Sequence, residues 1–223
     1  MITIVAAFRD YLLKEKKYSS HTVNAYLNDV LSFQTFNSIN FNEDNIVTIQ
    51  YSHIRAWIVD LVNGGLSNGT VNRKIASLKA FYKFLLRAKQ IQSSPLLKHK
   101  ALKTPKTLQI PFSEKEVIEV LSGMENPIGF EKVRDKLIVD LFYTTGMRRA
   151  ELIHLHIDNV NIEDSTVKVL GKRNKERILP VLPIIKVQFS HYVKLRSELA
   201  DIKDHDFFFL TKKGLKVNET FVY

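Results

Sequence analysis

The stretch TTGMRRAEL, residues 144–152, joins the end of one predicted helix to the beginning of the next. Gly146 follows an apolar run, as is typical of a helix C-terminus, and Arg148 stands where a new helix begins. Glu151 follows Arg148 at the third position. The backbone N–H groups of a helix start add to the charge of the arginines, which favours an anion-binding site. The alternative is a surface helix whose arginines face water, and this stretch alone does not decide between the two.

The composition excludes several classes of protein. The 223 residues include no cysteine, which excludes disulfides, thiolate zinc sites and cysteine nucleophiles and is compatible with a reducing cytoplasm. No apolar run approaches the roughly 18–20 residues of a membrane span. Residues 1–17 have the pattern of an amphipathic helix rather than that of a signal peptide. We therefore expect a cytoplasmic protein without a membrane partner.

Both halves of the chain are basic. The formal net charge is +10; residues 1–97 hold 11 basic and 6 acidic residues, and residues 98–223 hold 22 and 17, so that each half contributes +5. Such a balance favours a polyanionic partner, of which nucleic acid is the commonest. Basic proteins without a nucleic-acid function also exist, so charge alone leaves this question open.

Helical periodicity predicts an all-helical first domain. Helices are expected at residues 3–16, 21–36, 52–62 and 68–89. Residues 98–106, KHKALKTPK, then contain four lysines, a proline and no acidic residue, as is typical of an exposed linker. We place the domain boundary there.

The helix predicted at residues 68–89 has two different faces. Five apolar residues cluster on one side and predict the face that packs into the core. They are Val71, Ile75, Leu78, Tyr82 and Leu85. The basic residues on the other side are Arg73, Lys83 and Arg87, with Lys79 at the edge. A basic face of this kind is either solvated or follows phosphates, and periodicity does not distinguish the two.

The second domain mixes helices with a β-hairpin. A capping box formed by Ser113 and Glu116 begins a helix that runs to about residue 122. The other expected helices are at residues 131–143, from Arg148 onwards, and at 184–199. Strands are expected at 166–170 and 177–182, joined by GKRNKE, whose Gly171 and Asn174 favour a turn. Residues 207–210 read as a short buried strand or turn. The predicted fold class is mainly α with a small β-hairpin or sheet.

Metal and nucleotide sites are disfavoured. His154 and His156 are two residues apart, so on a helix they would point to different sides, and no carboxylate is spaced to join them. The GKR at residues 171–173 lacks the earlier glycine of a P-loop and is followed by a strand rather than a helix. A Ser-His-Asp arrangement is not testable from a sequence, but no nucleophile elbow is present.

The remaining candidates for chemistry are cations. Arg148 lies at a helix start and Lys172 at a hairpin tip. Attack on a phosphodiester places negative charge on the non-bridging oxygens, which a planar guanidinium matches well. The departing 5′ oxygen needs a proton, which a mobile lysine can donate. We therefore predict that Arg148 and Lys172 converge on one phosphate.

Separated segments of the chain resemble Xer-type tyrosine recombinases of the lambda-integrase family, in the same order. FRDYLLKEKKYSSHTVNAYLNDVLSF (8–33) and NRKIASLKAFYKFLLRAKQIQSSPL (72–96) resemble the first and last helices of the family's core-binding domain. TLQIPFSEKEVIEVL (107–121) resembles the beginning of its catalytic domain. TTGMRRAEL resembles the box of the first catalytic arginine, and VKVLGKRNKERILPV (167–181) resembles the hairpin that carries a catalytic lysine.

The resemblance implies two domains that clamp double-stranded DNA. Residues 1–97 would be a helical SAM-like core-binding domain, residues 98–112 a basic linker, and residues 113–223 a partial α+β catalytic domain. The reaction would be transesterification through a 3′-phosphotyrosine, with no metal or nucleotide cofactor, in a tetramer on two DNA sites. The family's catalytic arginine and lysine fall on Arg148 and Lys172, and Glu151 is the supporting acidic companion.

The residues predicted to bind DNA come from three places. One group lies on the basic face of the helix at residues 68–89, a second in the linker, and a third beside Arg148 and in the hairpin. They are Arg73, Lys79, Lys83, Arg87, Lys98, Lys100, Lys103, Arg149, Arg173 and Lys175. Such contacts are mostly to phosphate, so they do not reveal a recognition sequence.

Part of the family's pattern is missing from these 223 residues. None of the seven histidines has an arginine three residues later, so there is no H-x-x-R box. Only Tyr192 and Tyr223 follow the hairpin. Tyr192 lies among apolar residues, which indicates packing, and Tyr223 is the last residue; neither is assigned as the nucleophile.

We therefore expect a C-terminally truncated recombinase that binds DNA, keeps half of the catalytic set and is inactive alone. Loss of the missing helices should expose apolar faces of the helices at residues 131–143 and 184–199 and destabilise the second domain. The alternatives are a non-catalytic DNA-binding remnant or decoy and, third, an unrelated basic scaffold.

Overall fold

A computed structural model describes residues 4–106, 108, 110–171 and 175–222. The chain divides into two compact units, Met1–Leu108 and Gln109–Tyr223. The predictions made for Lys172, Arg173, Asn174 and Tyr223 lie outside the described residues. Within those residues, no helix is both long enough and apolar enough to cross a membrane.

The first unit is all-helical, as predicted. Its helices are α1 (Ile4–Asp10), which continues into a π-helical turn (Tyr11–Glu15), α2 (Ser20–Phe41), α3 (Tyr51–Asn63) and α4 (Asn68–Arg87). The hydroxyls of Ser19 and Ser67 cap α2 and α4 by accepting hydrogen bonds from backbone N–H groups three residues later. Helix α2 runs past the predicted end near residue 36, because no helix breaker intervenes before Asn42, whose left-handed backbone (φ 52°) ends it.

The apolar face predicted for α4 is confirmed. Val71, Ile75, Leu78, Tyr82 and Leu85 are all buried in the core of the first unit. They pack with aromatic residues from the other three helices, of which Trp57 is the single tryptophan of the chain. The hydroxyl of Tyr82 donates a hydrogen bond to the carbonyl of Ile46 at 2.9 Å, so its polar end is satisfied inside the core.

A buried carboxylate joins α2 to α4. The side chain of Asp29 is 3% exposed and accepts hydrogen bonds from both terminal nitrogens of Arg73 at 2.8 and 3.1 Å. It also accepts from Lys74 Nζ at 3.0 Å and Ser77 Oγ at 2.7 Å. Burial alone would raise the pKa of Asp29, but the hydrogen bonds and the charge of Lys74 lower it below its ordinary value. We call Asp29, Arg73, Lys74 and Ser77 the Asp29 cluster.

The lowered pKa of Asp29 predicts that the first unit is sensitive to acid. A carboxylate with a depressed folded pKa stabilises the fold above its unfolded pKa, about 3.9 for aspartate, and that stability is lost as the pH falls through the folded value. We expect the free energy of unfolding, followed by Trp57 fluorescence in urea, to decrease below about pH 4. The Asp29→Asn variant should decrease less steeply over this range. An equally steep decrease in the variant would assign the effect to other carboxylates.

In the part of the second unit that the structure describes, four helices combine with a small antiparallel sheet. The helices are α5 (Glu114–Ser122), α6 (Phe130–Thr145), α7 (Arg149–Ile153) and α8 (Pro183–Ser197). A 3-10 turn (Ile157–Asn159) leads into strands β1 (Val160–Asn161), β2 (Thr166–Leu170) and β3 (Glu176–Pro180), in the order β1-β2-β3. The hairpin prediction is confirmed, although β3 begins and ends earlier than expected. The sequence does not predict β1, because two residues are too few to show strand alternation.

The predicted interior of the second unit is largely confirmed. Val133, Leu137, Ile138 and Leu141 of α6 are buried, whereas Phe142 is only partly buried. Residues 208–210 are buried, and two isolated bridges, His156 with Phe207 and Leu210 with Lys216, support this segment. Tyr192 packs as predicted, its hydroxyl donating to the carbonyl of Phe208 at 3.1 Å and accepting from the N–H of Leu210 at 3.0 Å.

The two helices expected to expose apolar faces, α6 and α8, do so to different extents. On α8 they are Ile184 and Val187, and on α6 the large exposed apolar side chain is Tyr143. Together with Ile118 of α5, some of these residues line an open apolar groove of about 470 Å³. The rest of the apolar face predicted for α6 packs inside the unit, because α8 and residues 208–217 cover it.

Candidate active site

Arg148 occupies the start of a helix, as predicted. Gly146 adopts a left-handed backbone (φ 60°) that ends α6, and Arg148 is the extended residue immediately before α7. The side chain of Arg148 is 63% exposed. Its guanidinium is therefore presented at the surface and not turned into the interior.

Glu151 fixes both the backbone and the side chain of Arg148. The Glu151 side chain is only 3% exposed. Its Oε1 accepts from Arg148 Nη1 at 2.8 Å, and its Oε2 accepts from the backbone N–H of Arg148 at 2.7 Å. A charged acceptor at the third helical position also suits the dipole of α7. The supporting role that the resemblance implies for Glu151 thus has a physical basis.

A second arginine, Arg177, reaches the same carboxylate. Arg177 Nη2 donates to Glu151 Oε2 at 2.8 Å. Burial alone would raise the pKa of Glu151, but the hydrogen bonds from Arg148 and the charges of Arg177 and Arg148 hold it below its ordinary value. The predicted site residues do not include Arg177.

The position of Arg177 follows from the register of the hairpin. Arg177 lies directly opposite Val169, which is buried, so the two side chains share one face of the sheet. A sequence reading that paired the strands around GKRNKE would put Arg177 on the inner face. The identity of its partner would still be hidden, because Glu151 lies 26 residues earlier.

Gly171, which directly follows β2, lies against the Arg148–Glu151 pair. A Cβ at Gly171 would be 3.5 Å from Glu151 Oε1 and 4.0 Å from Arg148 Nη1. The N–H of Gly171 donates to the carbonyl of Lys175 at 2.7 Å. Lys172 lies outside the described residues, so its convergence with Arg148 stays a prediction.

A cleft of about 630 Å³ opens beside this pair. It is lined by α7, the 3-10 turn and β2, including Glu151, His154, His156 and Lys168. The Nδ1 of His154 is 2.8 Å from the carbonyl of Ala150, and His156 packs on the ring of Phe207. Among the described residues, no group of three or more histidine or carboxylate side chains could hold a metal ion.

The basic residues of α4 differ in their surroundings. Lys79 and Lys83 are exposed, and Arg87 is exposed with Glu15 at 3.6 Å. Arg73 is instead bound to buried Asp29, which neutralises part of its charge. Arg73 therefore has a structural partner that its place on the basic face did not reveal.

The linker lysines stand next to backbone that is bound to α4. Lys98, Lys100 and Lys103 are exposed. The side chain of Asn72 both donates to and accepts from the backbone of Leu102, and the Asn68 amide donates to the carbonyl of Lys103 at 2.8 Å. This part of the predicted linker thus follows the surface of the first unit rather than hanging free.

The predicted DNA-binding residues of the second unit lie near Arg148 in the chain or in the hairpin. Arg149 is partly buried and lies 3.4 Å from Glu219. Lys175 is exposed, whereas Arg173 lies outside the described residues. Their contacts with DNA remain predictions.

Comparisons with known families cover both units. Residues 5–89 match the family described as "Phage integrase, N-terminal SAM-like domain". Residues 100–223 match the "Phage integrase family". The second match alone spans more than half of the chain.

Relatives found by sequence agree with these family matches. The chain is 31% identical to the tyrosine recombinase XerC of Bacillus subtilis over 218 residues, covering 94% of this chain and 69% of that protein. It is 29% identical to XerC of Staphylococcus carnosus over 210 residues, covering 94% and 70%.

The fold is similar to that of two solved recombinases. The Tn1549 transposon integrase, solved in complex with circular intermediate DNA, superposes with a TM-score of 0.71 at 16% identity, covering 99% of this chain and 75% of that one. XerH bound to difH substrate, in a pre-cleavage complex, gives 0.66 at 20% identity, covering 98% and 64%. Because the family match and the XerC relatives extend across both units, the chain belongs to the phage integrase family of tyrosine recombinases.

Proposed function

We propose that this chain acts in site-specific DNA recombination, binding double-stranded DNA and contributing Arg148 and Lys172 to the cleavage of one strand. The observation that carries the proposal is the exposed guanidinium of Arg148, held by a buried carboxylate next to Gly171. Lys172 follows Gly171 in the chain, and its convergence with Arg148 on one phosphate is part of the proposal. The Tn1549 transposon integrase, which was solved in complex with circular intermediate DNA, supports the choice of partner.

Each residue has a distinct role in the proposed reaction. In the reaction that the resemblance implies, a tyrosine oxygen attacks the phosphorus, a 3′-phosphotyrosine forms, and the 5′ oxygen leaves. No tyrosine of residues 1–223 is assigned that role. Arg148 donates hydrogen bonds to the non-bridging oxygens, where negative charge accumulates. Lys172 gives a proton to the departing 5′ oxygen. Glu151 keeps the guanidinium in place without touching the DNA.

We further propose that residues 1–223 bind DNA but do not cleave it by themselves. Burial raises the pKa of Tyr192 to about 12, and its hydroxyl is already bonded to the backbone of Phe208 and Leu210. A buried phenol of this kind is a poor nucleophile, because neither its oxygen nor its proton is accessible.

A covalent-adduct assay tests this proposal. We expect the 223-residue chain to form no denaturation-resistant adduct with nicked suicide duplexes that carry a recombinase site. An adduct would contradict the proposed inactivity, and mapping it would name the tyrosine, with Tyr192→Phe as the first variant to compare. The alternative, a non-catalytic DNA-binding remnant, is distinguished by whether the coding sequence after codon 223 encodes an H-x-x-R box and a tyrosine.

The salt dependence of DNA binding tests the basic face of α4. Each neutralised phosphate contributes about 0.9 to the slope of log affinity against log salt. Replacing Lys79, Lys83 and Arg87 with alanine should therefore flatten the slope by up to about 2.7. The matched control removes three charges from the first helical segment, at Arg9, Lys14 and Lys16. An unchanged slope in the α4 variant would show that this face is solvated.

Assembly is the remaining part of the proposal. The resemblance implies four copies on two DNA sites, and sedimentation of the chain with a site-bearing duplex would measure how many copies bind. Arg73 is left intact in these DNA-binding experiments, because its removal would also disturb Asp29.

A further inference from the structure

We propose that Arg177 is a positioning residue that ties the β2–β3 hairpin to Arg148 through Glu151. The inference rests on the proposed function, since it concerns how Arg148 is presented to a phosphate. It adds a residue from β3 to a pair of residues at the start of α7.

The geometry places three donors on one buried carboxylate. Arg148 supplies its Nη1 and its backbone N–H, and Arg177 supplies Nη2, all at 2.7–2.8 Å. The backbone N–H of Arg148 and Nη2 of Arg177 share Oε2 of Glu151. A carboxylate held from two elements cannot rotate without breaking one of these bonds. The hairpin and the start of α7 are therefore fixed to each other at this point.

The charges give Arg177 a second effect. Glu151 alone would neutralise Arg148, because the pair has no net charge. With Arg177 the three groups carry a net charge of +1, so Arg148 keeps more of its attraction for a phosphate. The side chain of Arg177 is 40% exposed against 63% for Arg148, which fits a residue that acts mainly through its partner.

A double-mutant cycle on the full chain tests this coupling. Binding of a fluorescent duplex is measured for the wild type, Arg148→Ala, Arg177→Met and the double variant at one salt concentration. We expect Arg177→Met to weaken binding by about fivefold, and by less than about twofold once Arg148 is absent, as for residues in one network. Arg177→Lys, whose ammonium can still donate to Glu151, should recover most of the lost affinity.

The matched control is Lys168→Met in β2. It removes the same charge from the same hairpin, but Lys168 faces Glu176 at 3.6 Å and has no bond to Glu151 among the described residues. Its effect should be equal with and without Arg148. If Arg177→Met also weakens binding by the same factor with and without Arg148, the inference is overturned, since Arg177 would then act on DNA independently of Arg148.

Arginine side-chain NMR measures positioning without DNA. Rotation about the Cζ–Nε bond of Arg148 should be slow in the wild type, faster in Arg177→Met and close to wild type in Lys168→Met. Unchanged Arg148 rotation in Arg177→Met would overturn the inference. If Arg177→Met does not fold, Arg177→Lys is compared with the wild type, and slow Arg148 rotation is expected to persist in it.

The two proposals fail in different ways. If Arg148→Ala does not weaken DNA binding, either alone or combined with another substitution, the result contradicts the proposed function. The NMR comparison still decides the role of Arg177. If Arg148→Ala weakens binding but the effects of the two substitutions are additive, the result contradicts the positioning role of Arg177, and the proposed function stands.

Discussion

The Asp29→Ala substitution is expected to lower the free energy of unfolding of the first unit by about 3–4 kcal/mol, as when one partner of a buried ion pair is removed. Arg73, Lys74 and Ser77 all donate to this carboxylate, and Ser77 is itself buried. Their N–H and O–H groups would lose a shared acceptor that water replaces only in part. For a unit of this size the loss corresponds to a fall in Tm of roughly 12–25 °C.

Trp57 fluorescence measures this effect in the full chain, because the single tryptophan is buried in the first unit. Asp29→Asn should lose less than Asp29→Ala, since the amide oxygen can still accept. The matched control is Asp10→Ala, which breaks the exposed pair with Lys14 and should leave the midpoint unchanged. Equal midpoints for Asp29→Ala and the wild type would show that the Asp29 cluster does not stabilise the unit.

The Glu151→Ala substitution should affect both the stability of the second unit and DNA binding. We expect a loss of about 2–3 kcal/mol, below the usual range for a buried pair because both arginines remain partly solvated. The backbone N–H of Arg148 loses its acceptor, and the guanidinium is no longer held beside Gly171. The net charge of the group rises from +1 to +2 at the same time, so a fall in DNA affinity would show that the held position of Arg148 outweighs the added charge.

Far-UV circular dichroism follows both units, whereas Trp57 follows the first one, so the difference between the two probes isolates the second unit. Glu151→Gln should be intermediate, since its amide oxygen can still accept one hydrogen bond. Glu219→Ala, which removes an exposed carboxylate 3.4 Å from Arg149, is the control and should change stability by less than about 0.5 kcal/mol. A Glu151→Ala chain as stable as the control would contradict the structural role of the buried carboxylate.

The features that the sequence predicts well are local. The apolar residues of α4 recur at the helical period. Gly171 and Asn174, which lie between two apolar runs, predict the β2–β3 hairpin. Arg148 and Glu151 are three residues apart, so a helix start brings them together without any knowledge of the fold. The resemblance to recombinases then gives these residues a role.

The features that the sequence hides depend on distant partners. Asp29 meets Arg73 across 44 residues, and Glu151 meets Arg177 across 26. Nothing in the period of α2 shows that Asp29 is buried, because a lone acidic residue among apolar ones is equally compatible with an exposed edge. Pairing of charges across a fold is set by packing, and it becomes visible only once the helices and strands are in place.

The two hydrophobic interiors share no side chain among the described residues: one draws on residues 4–102 and the other on residues 130–222. Mutations that repack one interior therefore change no side chain that belongs to the other. A gene that joined the first half of one relative to the second half of another would preserve both interiors.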